Sequence, residues 1–321
     1  MVEIGELWAF EKDENRGFTE YLGYDPAARI QNQLVKVIKQ GHDVQLHLHP
    51  QWLGAKWTKN GWQLDYSKYR LPDLDYHEML DLFQRGRDYL ETLLRPHCDD
   101  YSCIGFRAGN WITQPSSKYL RALYQAGLKS DTSVFKWGYV NKDWIYMDYR
   151  KANSNVLPWI VSWEDINRPG KDGEIIEFPI YSEPVNLFSL LTVKRLMVAR
   201  HYLLEDRVIA RSVNSSYSTP RKLKTTIWRK IYRLFHKYPK KFDFCKLTTR
   251  EMLQMMENIR LCYSDSQMVD HVPIVTIGHS KELGSAQGLS RFLRDVSRKF
   301  GNSLEFVTYR EVIRNADKTN N

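Results

Sequence analysis

The chain has 321 residues, of which 42% are hydrophobic and 26% are charged. This is the usual composition of a folded globular protein, and it excludes wholesale disorder. No apolar run reaches the roughly 18 residues of a membrane-spanning helix. The first twenty residues are too acidic for a secretory signal, so we expect none. Four cysteines without a C-x-x-C pair indicate free thiols and a cytoplasmic protein.

The net charge of +9 comes from one part of the chain. The segment 221–241 holds nine lysine and arginine residues and no acidic residue. These nine charges equal the whole excess of 47 basic over 38 acidic residues, so the rest of the chain is electrically balanced. The basic character is therefore a property of this segment and not of the fold.

From the amino terminus to about residue 180, predicted helices and strands alternate. Asp25 and Pro26 form a helix start, Gly41 forms a helix stop, and the alternating pattern of 43–49 predicts a strand. Similar patterns predict helices at 76–94, at 115–126 and ending near 300, and strands at 103–106, within 128–134, and at 175–180, 273–278 and 304–308. This order predicts an α/β fold with a parallel sheet or barrel, whose active residues lie at the carboxyl ends of the strands.

Residues 185–270 interrupt the alternation, because their patterns are mostly helical and include the basic segment. We expect an insertion within a single domain of residues 1–321, whose barrel-like core comprises 1–184 and 271–316. Five apolar residues of the insertion fall on one side of a helix: Ile227, Ile231, Leu234, Phe235 and Tyr238.

This basic amphipathic helix has two interpretations. It packs on the barrel with a solvated charged face, or it binds a polyanion or a membrane surface as a peripheral protein. An anionic membrane or an acidic polysaccharide suits the segment 221–241 better than nucleic acid, because no nucleic-acid-binding fold accompanies it.

His47 and His49 share the polar face of the predicted strand 43–49. Residues two apart on a strand lie about 6.6 Å apart along it, so the two imidazoles can converge on one metal ion. The alternative is a pair of polar side chains that face solvent at a sheet edge.

Arg107 directly follows the predicted strand 103–106, within Phe106-Arg-Ala-Gly-Asn-Trp111. A guanidinium at a strand end suits an anion or a carboxylate, and Gly109 permits close approach of the backbone. The alternative is an ordinary surface loop.

His279 follows the predicted strand 273–278 and is a candidate acid or base, or else a buried structural histidine. The serine after it does not belong to a nucleophile elbow. Glu282 replaces the last glycine of that motif, and no histidine follows Ser280.

The loop after His49 is rich in aromatic residues. Aromatic rings beside a catalytic strand suit stacking on sugars, but they can also form a small local core. The five residues are Trp52, Trp57, Trp62, Tyr66 and Tyr69.

Taken together and in this order, these segments resemble the polysaccharide deacetylase superfamily (NodB homology, carbohydrate esterase family 4). The four segments resemble its second to fifth motifs: 41–49 with the metal-binding histidines, 106–111 with the arginine-led turn, 131–134 with Trp137 beyond, and 277–279 with the histidine that protonates the leaving group. The resemblance covers roughly 1–180 and 270–315 and implies a distorted (β/α) barrel.

Two departures from the family pattern stand out. The second metal-binding histidine usually lies four residues after the first, where this chain has Gln51, so His49 would take its place. The family's first motif is a paired-aspartate strand that supplies the base and a metal ligand. It should precede residues 2–8, which resemble the family's second strand, so we expect that first motif and its strand to be missing.

The resemblance implies hydrolysis of the N-acetyl group of an amino-sugar polysaccharide or glycan precursor, with a divalent metal, Zn²⁺, held by His47 and His49. His279 would protonate the leaving amine, Asp131 would hold His279 charged, and Arg107 would orient the base. The implied substrate contacts are Trp52, Asn110, Trp111 and Trp137. Since two histidines without a carboxylate bind metal poorly, we expect weak or no hydrolysis. The alternative function is a non-catalytic relative that binds a glycan or a membrane surface.

Overall fold

The computed structural model describes residues 1–142, 145–186, 237–263, 271–283 and 286–319. Eight helices lie in these ranges: α1 (Ile4–Glu11), α2 (Arg16–Leu22), α3 (Pro26–Lys39), α4 (Tyr76–Leu94), α5 (Ser116–Gln125), α6 (Thr249–Tyr263), α7 (Gln287–Phe300) and α8 (Tyr309–Thr319). Within the same ranges no helix has the length and apolar character needed to cross a bilayer. No disulfide joins the four cysteines, all of which are described.

Twelve short strands accompany the helices in the described ranges: β1 (Val2–Glu3), β2 (Leu46–Leu48), β3 (Lys56–Thr58), β4 (Gly61–Gln63), β5 (Gly105–Ala108), β6 (Ser130–Asp131), β7 (Tyr139–Lys142), β8 (Ile145–Asp148), β9 (Trp159–Ile160), β10 (Ile176–Glu177), β11 (Ser182–Asn186) and β12 (Lys237–Lys241). Six of them form the central sheet, in the order β1-β2-β5-β6-β10-β9. Every pairing in this sheet is parallel except that of β10 with β9. The predicted α/β class with a mainly parallel sheet is therefore confirmed, whereas the described strands do not close into a barrel.

Helices α3 and α4 start where the sequence predicts, because their first turns are capped. The side chain of Asp25 accepts a hydrogen bond from the backbone N–H of Ala28 at 3.0 Å, and Asp75 accepts one from Glu78 at 2.9 Å. Helix α4 buries its apolar side against the sheet, where Phe83 contacts Phe106 of β5 with ring centroids 4.8 Å apart. The main core thus lies between the sheet and helices α1, α3, α4 and α5.

The amino-terminal segment differs from the expected strand at 2–8. Only Val2 and Glu3 pair with β2, and helix α1 begins at Ile4. The Glu3 side chain accepts a hydrogen bond from the backbone N–H of Gly5 at 2.9 Å, which caps the helix and ends the strand. The resemblance to a full second strand of the family is therefore wrong beyond Glu3.

Two expectations about the second half of the chain are also wrong. Residues 304–308 form no strand, and helix α8 follows them, starting with a capping box between Thr308 and Glu311. In the insertion, Lys237 and Tyr238 belong to β12, which pairs with β11 in antiparallel register, and not to an amphipathic helix. The expected helix residues before position 237 lie outside the described residues.

Helix α8 is fixed to the start of β2 by a buried ion pair. Nε of Arg310 lies 3.0 Å from Oδ1 of Asp43, and both side chains are only 9% exposed. The Arg310 guanidinium also donates to the backbone oxygen of Asp100 at 3.1 Å. An arginine that neutralises a buried carboxylate in this way joins the last described helix to the sheet.

We expect Arg310→Met to lower the free energy of unfolding by about 3–5 kcal/mol, because it leaves the Asp43 carboxylate buried without its cation. Arg314→Met is the matched control, since Arg314 is 47% exposed and its ion pair with Asp100 should contribute about 0–1 kcal/mol. Urea denaturation of the two variants measures both values. Equal losses of unfolding free energy in the two variants would show that the buried ion pair stabilises the fold no more than the exposed one.

Candidate metal centre

The register of three parallel strands places polar side chains side by side. Glu3 of β1 lies opposite His47 of β2, and His47 lies opposite Arg107 of β5. Neighbouring positions in a sheet point to the same face, so these three share one face, while the buried Leu46 and Phe106 share the other. His49 follows β2 directly and points to the same side as His47.

Glu3, His47 and His49 converge at this edge, with one potential ligand atom from each lying within 4.8 Å of the others. Nδ1 of His49 is 2.5 Å from Oε2 of Glu3, and Nε2 of His47 is 3.9 Å from the same oxygen. The three side chains are between 15% and 24% exposed, so the cluster is sheltered but accessible. Two imidazoles and one carboxylate form a donor set typical of catalytic zinc sites.

His47 is oriented by a backbone carbonyl. Its Nδ1 lies 2.7 Å from the backbone oxygen of Arg107, and because a carbonyl only accepts, we assign the ring proton to Nδ1. Nε2 is then the unprotonated ring nitrogen, and it lies on the side of Glu3. Burial, followed by the proximity of His49, lowers the pKa of His47 well below 6.5. The ring is therefore neutral at neutral pH, which is the form that binds a metal.

The Glu3 carboxylate is held by backbone donors on one oxygen. Oε1 accepts hydrogen bonds from the N–H of Gly5 at 2.9 Å and of His49 at 3.1 Å, while Oε2 faces the two imidazoles. The expectation that no carboxylate accompanies the two histidines is therefore wrong. The sequence did not single out Glu3, because its pairing with His47, 44 residues away, could not be deduced from local patterns.

The turn after β5 packs directly on this cluster. A Cβ added to Gly109 would lie 2.6 Å from the backbone oxygen of Leu48 and 2.8 Å from Cδ2 of His49. Asn110 and Trp111 follow in the left-handed region, with φ of 56° and 57°, a conformation that costs non-glycine residues about 1–3 kcal/mol. Among the described residues, Nδ2 of Asn110 is buried and has no hydrogen-bond partner. A strained turn that packs on His49 thus holds a buried amide donor without a partner.

Trp111 connects this turn with His279. Their rings are 5.6 Å apart between centroids and nearly perpendicular, so two motifs far apart in sequence meet here. Nζ of Lys241 lies 3.3 Å from the centroid of Trp111 and 4.4 Å from that of Phe135. Burial lowers the pKa of Lys241 to about 7. One face of Trp111 is therefore covered by this amine.

The other expected contact residues lie in different surroundings. Trp52 packs in a local aromatic core with Phe10 at 6.2 Å and Trp62 at 5.4 Å, which matches the local-core interpretation of the aromatic loop. Trp137 is half-buried with φ of 68°, and its backbone N–H donates to Tyr149 at 3.1 Å. Trp52 nevertheless adjoins the cluster, because its backbone N–H donates to the carbonyl oxygen of His49 at 3.1 Å. Asn110 and Trp111 directly follow Gly109, which packs on His49, whereas the contacts of Trp137 are with other parts of the chain.

The Arg107 guanidinium does not face a catalytic carboxylate. Nε donates to the backbone oxygen of Thr132 at 2.9 Å, and Nη2 donates to its hydroxyl at 3.3 Å. Burial lowers the pKa of Arg107. Its contribution to the centre is the backbone oxygen that orients His47.

Asp131 lies on the opposite face of the sheet, because it pairs with Phe106 and not with Arg107. Its carboxyl group accepts hydrogen bonds from Tyr119 at 2.5 Å and from the N–H of Ser133 at 2.8 Å. The expectation that Asp131 supports His279 is therefore wrong. Among the described residues, the carboxylate next to Nδ1 of His279 belongs to Glu282, at 3.7 Å.

Asp131 is instead paired with a second buried acid. Glu177 lies opposite it in β10, and Oε1 of Glu177 accepts a hydrogen bond from the N–H of Val134 at 2.9 Å. Burial, followed by the charge of Asp131, raises the pKa of Glu177 well above its usual value. Glu177 therefore holds a proton to higher pH than an exposed glutamate does, beside the Asp131 carboxyl group.

Comparison of the chain with protein-family models, with curated proteins and with solved structures found no match.

We expect Glu177→Gln to make stability less dependent on pH. The folded protein keeps a proton on Glu177 that the unfolded chain releases above about pH 4.5, so stability falls as pH rises from there towards the folded-state pKa. Glutamine retains the donor and the acceptor but does not titrate. The slope between pH 5 and 8 should shrink by up to about 1.4 kcal/mol per pH unit, measured by urea denaturation. An unchanged slope would mean that Glu177 is ionised in the folded protein.

We expect Gly109→Ala to weaken zinc binding and to lower the free energy of unfolding by about 1–3 kcal/mol, because the new Cβ would overlap a backbone oxygen that cannot move aside. Gly288→Ala in α7 is the matched control, since nothing lies within 4 Å of a Cβ there. Zinc titration and thermal unfolding measure both effects. Equal zinc affinity and equal thermal stability of the two variants would contradict the close packing at Gly109.

Proposed function

We propose that this protein is a metal-dependent hydrolase that removes N-acetyl groups from an amino-sugar polysaccharide or glycan precursor. The observation that carries the proposal is the convergence of Glu3, His47 and His49 at the carboxyl ends of parallel strands. The turn that packs on His49 also carries Trp111, whose ring lies 5.6 Å from that of His279. The fold we propose is the distorted (β/α) barrel of the NodB-homology type. Two further parallel bridges, Ile180 with Val275 and Asp243 with Ile277, support it.

The three donors fit a divalent ion, and Zn²⁺ suits them best. His47 is neutral and oriented, while Glu3 supplies the negative charge that a cation requires. When bound, the ion would polarise the acetyl carbonyl and lower the pKa of water. The carbonyl oxygen of Arg107 and the amides of Gly5 and His49 hold these ligands in place without any bound ion.

The remaining residues have defined tasks in amide hydrolysis. Water adds to the acetyl carbon, the carbon–nitrogen bond breaks, acetate leaves, and the sugar nitrogen takes up a proton. We assign the delivery of this proton to His279, whose ring lies 5.6 Å from that of Trp111, in the turn that packs on His49. The unpartnered amide of Asn110 is a hydrogen-bond donor for the acyl oxygen of the substrate.

A direct test measures zinc binding and acetate release with the purified full chain. We expect about one zinc ion per chain, and release of acetate from oligomers of N-acetylglucosamine and related N-acetylated polysaccharides. Glu3→Gln, His47→Ala and His49→Ala should each weaken zinc binding by at least about tenfold and abolish acetate release. The matched control is His77→Ala, which removes an exposed histidine of α4 and should change neither.

The outcomes separate the two functions that the sequence leaves open. Zinc binding that depends on all three residues, together with acetate release, supports the hydrolase. Zinc binding without acetate release from any N-acetylated glycan would favour a non-catalytic glycan-binding relative. No zinc binding by the unaltered chain would refute the proposed centre.

A further inference from the structure

His279 begins a tight turn that brings an acidic side chain back to its own ring. The backbone N–H of Glu282 donates to the carbonyl oxygen of His279 at 2.9 Å. This turn places Oε2 of Glu282 3.7 Å from Nδ1 of His279. The Glu282 side chain is only 5% exposed, so water screens its charge little.

Glu282 is in turn held by a lysine. Nζ of Lys246 lies 3.2 Å from Oε2 of Glu282 and 3.2 Å from Oδ2 of Asp243. Asp243 is also buried, and its Oδ1 accepts a hydrogen bond from the N–H of Cys245 at 3.0 Å. One ammonium between two carboxylates leaves a net negative charge facing His279.

The same group of side chains could be mistaken for a second metal site. Asp243, Cys245 and Glu282 each offer a ligand atom, all within 4.8 Å of one another. The ammonium of Lys246 already lies between the two carboxylates, so a cation is in place there without a metal. The arrangement is better suited to holding Glu282 than to binding an ion.

We infer that Glu282 is the residue that positions His279. The family resemblance had assigned this role to Asp131. The inference rests on the proposed function, in which His279 gives a proton to the leaving amine. The His279 ring is fixed between the Trp111 ring on one side and the Glu282 carboxylate at Nδ1. A carboxylate there keeps a proton on Nδ1 and orients the ring, as in other acid–histidine pairs. The distance of 3.7 Å is longer than a hydrogen bond, and such contacts commonly shorten when substrate binds.

The kinetic test compares Glu282→Gln with Glu282→Asp in zinc-loaded full chain, with N-acetylglucosamine oligomers as the probe. Glu282→Gln should lower kcat by roughly 10- to 100-fold and leave KM unchanged. This loss of kcat is a part of the roughly 10²- to 10⁴-fold effect of a general acid. Glu282→Asp should recover part of this loss. Glu257→Gln is the matched control, because it removes a carboxylate of α6 that pairs only with Arg260 and Lys299 among the described residues, and it should leave kcat unchanged.

A second measurement does not depend on activity. Nitrogen-15 NMR of the imidazoles reports which ring nitrogen of His279 carries the proton. We expect Nδ1–H in the unaltered protein and in Glu257→Gln, and a shift towards Nε2–H in Glu282→Gln, with zinc binding retained in all three. If no acetate is released by any form but the NMR shift occurs, the proposed function fails and the positioning of His279 stands. Unchanged NMR signals in Glu282→Gln, or an unchanged kcat in an active enzyme, would overturn the inference.

Discussion

The pairing of β1 with β2 is the constraint on which the rest of the site depends. It sets Glu3 beside His47, and the next pairing sets His47 beside Arg107. Because sheet positions alternate between two faces, one face of these strands packs in the core and the other carries the candidate metal ligands. A slip of one residue would turn Glu3 towards the core and separate it from both histidines. The start of helix α1 directly after Glu3 fixes this register, since the same carboxylate that faces the histidines also caps the helix.

The second structural element of the site is the close approach of the turn after β5. Gly109 allows the backbone to touch Leu48 and His49, and the strained residues after it lead the Trp111 ring to His279. Strain of this kind persists only where the surrounding packing holds it. The turn therefore works as a rigid connection between the ligands at the end of β2 and a histidine more than two hundred residues later.

Two pairs of acidic residues are buried, and the surroundings of the two pairs differ. Asp131 and Glu177 accept hydrogen bonds from neutral donors, and burial beside Asp131 raises the pKa of Glu177. Asp243 and Glu282 instead share the ammonium of Lys246. The first pair lies on the core side of the sheet and is structural, whereas the second supplies a negative charge where His279 needs a partner. The environment of each carboxylate, more than its place in a motif, decides its chemistry.

Local patterns in the sequence determined the helices with clear caps, the α/β class, and the fact that His47 and His49 share one face of a strand. These follow from interactions between residues a few positions apart, as with Asp25 at the start of α3. The same patterns could not show which carboxylate meets which histidine. Tertiary structure brought Glu3 to the histidines and turned Asp131 to the opposite face of the sheet. The physical reason is that strand register and chain packing arise from contacts between distant segments, and one position of register reverses the face to which a side chain points.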